Sequence, residues 1–185
     1  MIKSYSKSEM KKLWRRAAGL EPQRTDCMVD RTDGVDVDAM IEPRMRAWYL
    51  NLLDRAPVEL LRVEDVAEEV IIRGNVGRPG GLGTLPGRVR RLLSIRQTGW
   101  LTATVPRSAE EAAETLRRSL NPYLQPGPAV PLCVMLGRDF ELQPYEDGDV
   151  VVSARAITDP GPENYVLDES LLASIPDILK DYDNF

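Results

Sequence analysis

The chain has 185 residues, of which 43% are hydrophobic and 29% are charged, as is typical of a folded globular protein. Its formal net charge is −5, and it contains no histidine. The absence of histidine excludes Ser-His-Asp and Cys-His nucleophile systems and histidine-ligated metal sites.

Two amphipathic helices are predicted in the first third of the chain. The first covers residues 6–18 and the second about residues 38–55, because apolar side chains recur in both at the spacing of one helix face. Each helix has a tryptophan in its apolar stripe, and Trp48 is therefore expected in the core. Pro43 is expected in the first turn of the second helix, where its missing N–H has no helical partner. Residues 6–56 thus form the predicted helical part of the chain.

Residues 74–87 are the most glycine-rich segment, with six of the chain's 13 glycines. They follow an ambiguous segment, residues 58–73, in which the β-branched residues at 70–72 favour a strand. Glycine backbones lose the most conformational entropy on folding, so we interpret residues 74–87 as a mobile segment. Mobile segments with isolated apolar residues often order against a partner, so partner contact is one interpretation of this segment. A plain surface loop without a partner is the alternative.

A strand and a helix are predicted next. Residues 89–101 alternate in the manner of a strand, with Arg90 and Arg96 together on one face. Residues 108–120 predict a helix with an apolar face, and Ser108 begins a capping-box pattern at its start. This helix is inserted between predicted strands.

The most regular β pattern in the chain lies after that helix. Three runs of alternating apolar residues predict a three-stranded antiparallel meander. They cover residues 130–136, 140–143 and 150–156. Residues 137–138 form the first expected turn, and the Asp-Gly pair at 147–148 favours a hairpin between the last two runs. The alternation places Val134 and Val152 on the buried face.

The end of the chain predicts a turn-rich link and a short helix. Residues 158–164 contain several turn-forming residues, and a helix capped by Asp168 is expected over about residues 168–180. We therefore predict an α+β fold, with the N-terminal helices packed on a small, mostly antiparallel sheet and one capped helix inserted between strands. The sheet part is expected over about residues 58–157, and residues 1–185 are expected to form a single domain.

Motifs for chemistry are incomplete throughout the sequence. Residues 81–83, Gly-Leu-Gly, resemble the start of a dinucleotide-binding loop, but no strand–turn–helix context follows them. An acidic cluster in residues 141–149 lacks the full spacing of a calcium loop, so a turn with solvated carboxylates is expected. The two cysteines, Cys27 and Cys133, are interpreted as free thiols. The sequence therefore predicts no enzyme, with no catalytic residue, metal or cofactor.

Charge is distributed unevenly along the chain. Residues 1–24 contain seven basic and two acidic residues, whereas residues 138–185 contain three basic and twelve acidic residues. Opposite patches steer association, and we predict that these two segments meet between neighbouring copies. Two solvated faces are the alternative. The four arginines of residues 88–96 have no aromatic residues between them, so specific nucleic-acid binding is not expected.

No targeting signal is predicted at the start of the chain or in its apolar runs. The first residues have no apolar segment of the kind found in a secretory signal peptide. No apolar run approaches the length of about 18 residues that a membrane helix needs. A cytoplasmic location without a signal peptide or a membrane partner is expected.

Residues 85–100 combine a Leu-Pro pair with an Arg-Leu-hydrophobic strand that ends in Gly-Trp. A polar helix, an apolar strand after a proline and a hairpin with an acidic turn follow in order. This arrangement resembles the head-to-tail connector or tail-tubular ring proteins of tailed phages, in the versions encoded by phages or prophages of Bacteroides-like hosts. The chain departs from the family pattern after the Leu-Pro pair. Gly87 and Arg88 stand there in place of an acidic and a bulky apolar residue.

The resemblance implies a non-enzymatic virion structural protein that packs side by side in a ring. Its expected partners are copies of itself and neighbouring virion proteins, and its expected location is the cytoplasm of the producing cell and then the virion. The residues of this chain that are predicted to contact a partner are Arg78, Leu82, Leu85, Arg90 and Arg96. The alternative from a different class is a small intracellular ligand- or protein-binding module, although no small molecule is identified.

Overall fold

The computed structural model describes residues 1–17, 37–74, 80–118 and 125–176. The chain divides into two compact units, the first formed by Met1–Arg62 with Asp159–Phe185 and the second by Val63–Thr158. Helices and mostly antiparallel strands occur together, so the predicted α+β fold is confirmed. The expectation of a single domain over the whole chain stays a prediction. Cys27 lies outside the described residues.

The strands and helices of the described residues are numbered in chain order. They are β1 (Ile2–Ser6), α1 (Lys7–Ala17), α2 (Val37–Arg55), β2 (Val63–Asp65), β3 (Ile72–Gly74), β4 (Gly81–Thr84), β5 (Val89–Gln97), β6 (Arg107–Ser108), α3 (Ala109–Arg118), β7 (Leu132–Leu136), β8 (Asp139–Gln143), β9 (Val151–Thr158) and β10 (Asn164–Asp168). Short 3-10 helices cover Val58–Leu60, Ala67–Glu69 and Glu169–Ser174.

In the first unit, helix α2 has a buried stripe whose members are four residues apart. These residues are Ile41, Met45, Tyr49 and Leu53. Trp48, which was expected in the core, is only half-buried, and its indole N–H donates to the Ser174 carbonyl at 3.1 Å. Pro43 is the seventh residue of α2, so its predicted place in the first turn is wrong. We attribute its tolerance to the buried stripe, whose packing offsets the backbone hydrogen bond that proline cannot donate.

The first unit also contains a two-stranded antiparallel sheet that the sequence analysis missed. Strand β1 pairs with β10, with Tyr5 opposite Tyr165. The Tyr49 hydroxyl of α2 accepts from the Val166 N–H at 2.9 Å, and burial raises the pKa of Tyr49 to about 12. The helices of this unit therefore pack with β1 and β10.

The predicted C-terminal helix is present as a single 3-10 segment. It covers Glu169–Ser174, and Asp168 caps it by accepting from the Ser170 N–H at 3.0 Å, which confirms the predicted cap. The part of the predicted helix beyond residue 176 lies outside the described residues.

Basic side chains near the start of the chain have acidic partners within the same unit. Lys3 pairs with Glu169 at 2.5 Å, and Lys7 lies 3.0 Å from Glu42 and 3.6 Å from Glu163. Part of the uneven charge is thus balanced inside one chain. Association between copies through these segments stays a prediction.

In the second unit, the strands form two sheets. The first has the order β2-β9-β5 and the second the order β3-β4-β8-β7-β6. The predicted meander is therefore only half correct, because β7 and β8 form the expected hairpin whereas β9 pairs with β5 and β2. Pro144, directly after β8, has no N–H to donate to a continuing ladder. The Asp-Gly turn at 147–148 consequently connects two sheets instead of closing a hairpin.

The two sheets of this unit share one hydrophobic core. It includes Ile95, Trp100, Phe140, Leu142 and Ala154. On the other face of the five-stranded sheet, Ala112 of α3 packs with Leu132 and Val134 of β7. Strand β7 is thus covered on both faces, and burial raises the pKa of the Cys133 thiol to about 12.

The sequence anticipated the start of α3 well. The Ser108 N–H donates to Glu111 at 3.0 Å, and the Ser108 hydroxyl accepts from the Glu111 N–H at 3.2 Å, so the predicted capping box is confirmed. The same pattern begins α1, where Ser6 and Glu9 bond reciprocally. We did not identify that second box from the sequence.

Asp65, at the end of β2, joins the three-stranded sheet to the 3-10 helix that follows it. Its carboxylate accepts from the Ala154 N–H at 2.9 Å, the Ala67 N–H at 3.0 Å and the Ser153 hydroxyl at 3.0 Å. The hydrogen bond from Ala154 is the main reason why the pKa of Asp65 is lowered. The ionised carboxylate therefore stabilises this unit.

We expect Asp65→Asn to lower the free energy of unfolding of the second unit by about 1 kcal/mol at pH 7, because an amide cannot accept all three hydrogen bonds. A lowered pKa in the folded state means that the stabilisation is present above the unfolded pKa of about 3.9 and is lost as the pH falls through the folded pKa. The difference between wild type and variant should therefore shrink below about pH 4. Urea denaturation at pH 7 and pH 3 measures it. The exposed Asp147→Asn is the control, and a difference that is the same at both pH values contradicts this account.

Candidate interaction surface

Strand β4 lies in the segment that was interpreted as a mobile arm. It pairs with β3 on one side and β8 on the other, so the interpretation of residues 81–84 as a loop is wrong. An aromatic ring packs on each of its glycines: a Cβ at Gly81 would lie 2.4 Å from Tyr145 Cδ2, and one at Gly83 would lie 2.4 Å from Phe140 Cζ. The glycines of this strand therefore permit a close approach of rings to the backbone.

The predicted partner-contact residues differ in exposure and lie in different parts of the structure. Leu82 is 38% exposed on β4, whereas Leu85 is 7% exposed and belongs to the core, so its predicted role as a surface contact is wrong. Arg90 and Arg96 are exposed on β5, which belongs to the other sheet. Arg78 lies outside the described residues. The structure therefore does not bring these residues into one cluster.

Strand β5 also departs from the alternation predicted for residues 89–101. It ends at Gln97, and its pairing with β9 shifts register between Val89 and Arg91, between Leu92 and Ser94, and between Arg96 and Gln97. Each shift is an irregularity of the β-bulge type, which changes the face that successive side chains occupy. Strict alternation of side chains between the two faces therefore does not tell which residues of this strand are buried.

The surface around Leu82 is an open groove of about 670 Å³ on β3 and β4. Its lining consists of Glu69, Ile71, Arg73, Gly74, Leu82, Gly83 and Thr84. Ile71 is 67% exposed, and Leu82 faces Arg73 across the two strands. Strand β3 is the edge of the five-stranded sheet as far as the described residues extend. We call these lining residues the β3–β4 groove.

One wall of the β3–β4 groove is held by a charged network. The Arg88 guanidinium donates to Glu69 at 3.0 Å and to Glu64 at 2.7 Å, and Glu64 also accepts from the Thr158 hydroxyl at 2.9 Å. The hydrogen bond from Arg88 lowers the pKa of Glu69. Arg88, at the point where the sequence departs from the connector pattern, thus fixes the carboxylate at the rim of the groove.

Sequence reasoning singled out Leu82 but not Ile71, which counted only as part of the β-branched run that favours a strand. The Glu68-Glu69 pair before that run was compatible with a short helix or an exposed edge. The structure places Ala67–Glu69 in a 3-10 helix, and β3 is the edge of the five-stranded sheet as far as the described residues extend. Only the pairing of β3 with β4 shows which side chains point outward.

The acidic cluster of residues 141–149 begins in β8 with Glu141, and its other three acidic residues lie in the turn that follows this strand. Asp149 accepts from the Thr98 hydroxyl at 2.7 Å and from the Glu146 N–H at 2.8 Å. Within the ranges that the structure describes, no three His, Cys, Asp or Glu side chains are grouped to hold a metal ion.

None of the helices in the described ranges is both long and apolar enough to cross a bilayer. The main feature of the described surface is therefore a sheet edge with exposed apolar side chains beside it.

Comparisons of the chain with models of known protein families, with curated proteins and with solved structures gave no significant match.

Proposed function

We propose that this chain is a non-enzymatic structural protein that associates with copies of itself, as a head–tail connector or ring component of a tailed-phage virion. The observation that carries the proposal is the β3–β4 groove, in which Ile71 and Leu82 expose apolar side chains beside a sheet edge. The virion part of the proposal rests on the resemblance of residues 85–100 to connector proteins.

An edge strand with exposed apolar residues is a common site for the addition of another chain. Strand β3 has one paired neighbour within the described residues, so its outer edge is available to a further strand. The lining of the groove also contains a carboxylate, a guanidinium and a hydroxyl, from Glu69, Arg73 and Thr84. Interfaces commonly combine apolar contacts with polar groups of this kind.

A second copy is the occupant that we propose for the groove. Strand β3 has only three residues. A contact of that length buries far less than the area of about 800 Å² per partner that is found in a stable pair. A single contact of this size is weak, whereas a ring repeats it around a closed circle and gains from effective concentration. Weak, repeated self-association therefore fits the groove better than a tight pair does.

The test is the molar mass of the purified chain, measured by light scattering over a concentration series. We expect the mass to rise above the 20.7 kDa of one chain as concentration increases. Leu82→Asp should keep the chain monomeric, because a charge at the centre of an apolar contact is unfavourable. The matched control is Leu101→Asp, since Leu101 is 73% exposed and does not line the groove.

Two results contradict this proposal. A mass of one chain at every concentration contradicts self-association, and equal effects of Leu82→Asp and Leu101→Asp contradict the role of the groove. The virion assignment is tested separately, by the identity of the genes next to the one that encodes this chain. Adjacent portal, capsid and terminase genes support it, and a neighbourhood without virion genes counts against it.

A further inference from the structure

The β3–β4 groove lies on the face of the five-stranded sheet that points away from the core of the second unit. Gly83 of β4 faces the core, because a Cβ built on it would lie 2.4 Å from Phe140 Cζ. Side chains alternate along a strand, so Leu82 faces the opposite way. Arg73 is paired with Leu82 across the two strands and shares its outward face. The groove is therefore open on one side of this unit.

Charged side chains stand on both sides of Leu82 in the same row of this face. Arg73 is its neighbour on β3, and Glu141 is its neighbour on β8. Glu69, the carboxylate that lines the groove, already has Arg88 as its partner. A complementary surface therefore needs an apolar centre, an acidic residue to meet Arg73 and a basic residue to meet Glu141.

Two exposed valines lie on the three-stranded sheet of the same unit. Val151 of β9 belongs to the core, whereas its neighbours Val150 and Val152 are 56% and 42% exposed. Successive side chains point to opposite faces, so the two exposed valines lie on the outward side of this sheet. They provide the apolar centre that a complementary surface needs.

Opposite charges flank the two valines. Glu146 is exposed, and its carbonyl accepts from the Asp149 N–H at 3.0 Å, which closes the turn directly before Val150. Arg96 of β5 is exposed and lies opposite Ser153 of β9. The order on this surface is thus acidic, apolar and basic, which complements the order in the groove. We call Glu146, Val150, Val152 and Arg96 the Val150 patch.

The groove and the Val150 patch lie on opposite sides of the core that the two sheets share, since each is on the outward face of one sheet. A copy that presents its patch to the groove of another copy therefore keeps its own groove open. Pairing of β3 with β3 of a second copy is less favourable. Arg73 is the middle residue of this strand, so two arginines would then lie directly opposite each other.

We propose that the β3–β4 groove of one copy binds the Val150 patch of the next copy. Leu82 then contacts the two valines, with Arg73 beside Glu146 at one end and Glu141 beside Arg96 at the other. Because β9 is paired on both sides, side chains make this contact and no strand is added at the β3 edge. The apolar contact supplies most of the affinity, and the charges set the orientation. This inference rests on the proposed function, since it names the surface that occupies the groove.

Two variants that each block one surface test this contact by light scattering. Leu82→Asp blocks the groove, and Val150→Lys blocks the patch. Each variant alone should stay near 20.7 kDa at concentrations where the wild type associates. An equimolar mixture should be heavier than either variant but no heavier than two chains. The intact groove of one variant then binds the intact patch of the other, and no further pair of intact surfaces is left.

Val105→Lys is the matched control, because Val105 is a 67% exposed valine of the same unit and belongs to neither surface. This variant should associate as the wild type does, and equal urea midpoints show that all three variants are folded.

The outcomes separate this inference from the proposed function. If Val150→Lys associates like the wild type while Leu82→Asp does not, the inference is overturned and the groove keeps its role. A mixture that is no heavier than its components also overturns it. A wild type that is monomeric at every concentration contradicts the proposed function itself.

Reversal of charges tests the orientation of the contact. Arg73→Glu should weaken self-association of the full chain about two- to fivefold at low salt, because it places two carboxylates together. Addition of Glu146→Lys to the same chain should restore the association, since the two reversed charges then meet between copies. A double variant that associates as weakly as Arg73→Glu alone overturns the proposed contact.

Discussion

Gly83→Ala is expected to lower the free energy of unfolding of the second unit by about 2–3 kcal/mol. The added Cβ would lie 2.4 Å from Phe140 Cζ, 2.8 Å from Phe140 Cε2 and 3.0 Å from Ile72 Cγ2. Phe140 is fully buried in the core between the two sheets, so its ring cannot move aside without displacing other core residues. Hydrogen exchange of the β7 and β8 amides under native conditions measures this loss directly.

Gly87→Ala is the matched control for this substitution. No heavy atom lies within 4 Å of a Cβ built at Gly87, and this glycine is not among those with a positive φ. Alanine there should leave stability unchanged or raise it by about 0.4–1 kcal/mol through the entropy of the unfolded chain. Equal stability of the two alanine variants would contradict the close packing of Phe140 on Gly83.

Val134→Asp is expected to have the largest effect of any substitution discussed here, a loss of about 3–5 kcal/mol in the free energy of unfolding. Val134 is 4% exposed and packs with Ala112 and Leu132 beneath α3. A carboxylate at this position has no water, and the residues of this small cluster offer it no polar partner. The measurement is the midpoint of urea or thermal unfolding of the second unit, or the loss of folded protein altogether.

Val152→Asp provides the contrast, because the alternating pattern placed Val152 on the same buried face as Val134. In the structure, Val152 is 42% exposed. The pairing of β9 with β5 moves from Ser153 to Val151 as β5 passes from Arg96 to Gln97, so Val152 falls at an irregularity in the ladder. We expect Val152→Asp to change stability by about 0.5 kcal/mol or less. Comparable losses in both variants would show that β9 keeps strict alternation and that this register is incorrect.

The β3–β4 groove and the oppositely charged segments 1–24 and 138–185 predict different kinds of association. Self-association through the groove depends on the apolar side chains of Ile71 and Leu82, so it should persist at high salt. Association through the charged segments should weaken as salt rises. The salt dependence of the molar mass therefore distinguishes the two.

The amino-acid sequence by itself determined the features of this protein that depend on neighbouring residues. Helix α1, most of α2 and the start of α3 follow from apolar spacing and, at Ser108, from a capping box, because a helix makes its hydrogen bonds within a few residues of the chain. The β7–β8 hairpin follows from its alternation and from Gly137, which takes a φ of +75° at the turn. The cap at Asp168 was predictable for the same local reason.

Only the tertiary structure decided which distant strands pair and which faces they bury. Strand β1 pairs with β10, which is far from it in sequence, and β9 pairs with β5 and β2 instead of with β8, which precedes it in sequence. An alternating pattern specifies a strand but not its partner, and each register shift between β5 and β9 changes the face that the pattern assigns. The glycines of β4 show the same limit, because a glycine that gives freedom to a loop and one that makes room for Phe140 look identical in sequence. The position of the Phe140 ring, which is set by long-range packing, distinguishes the two.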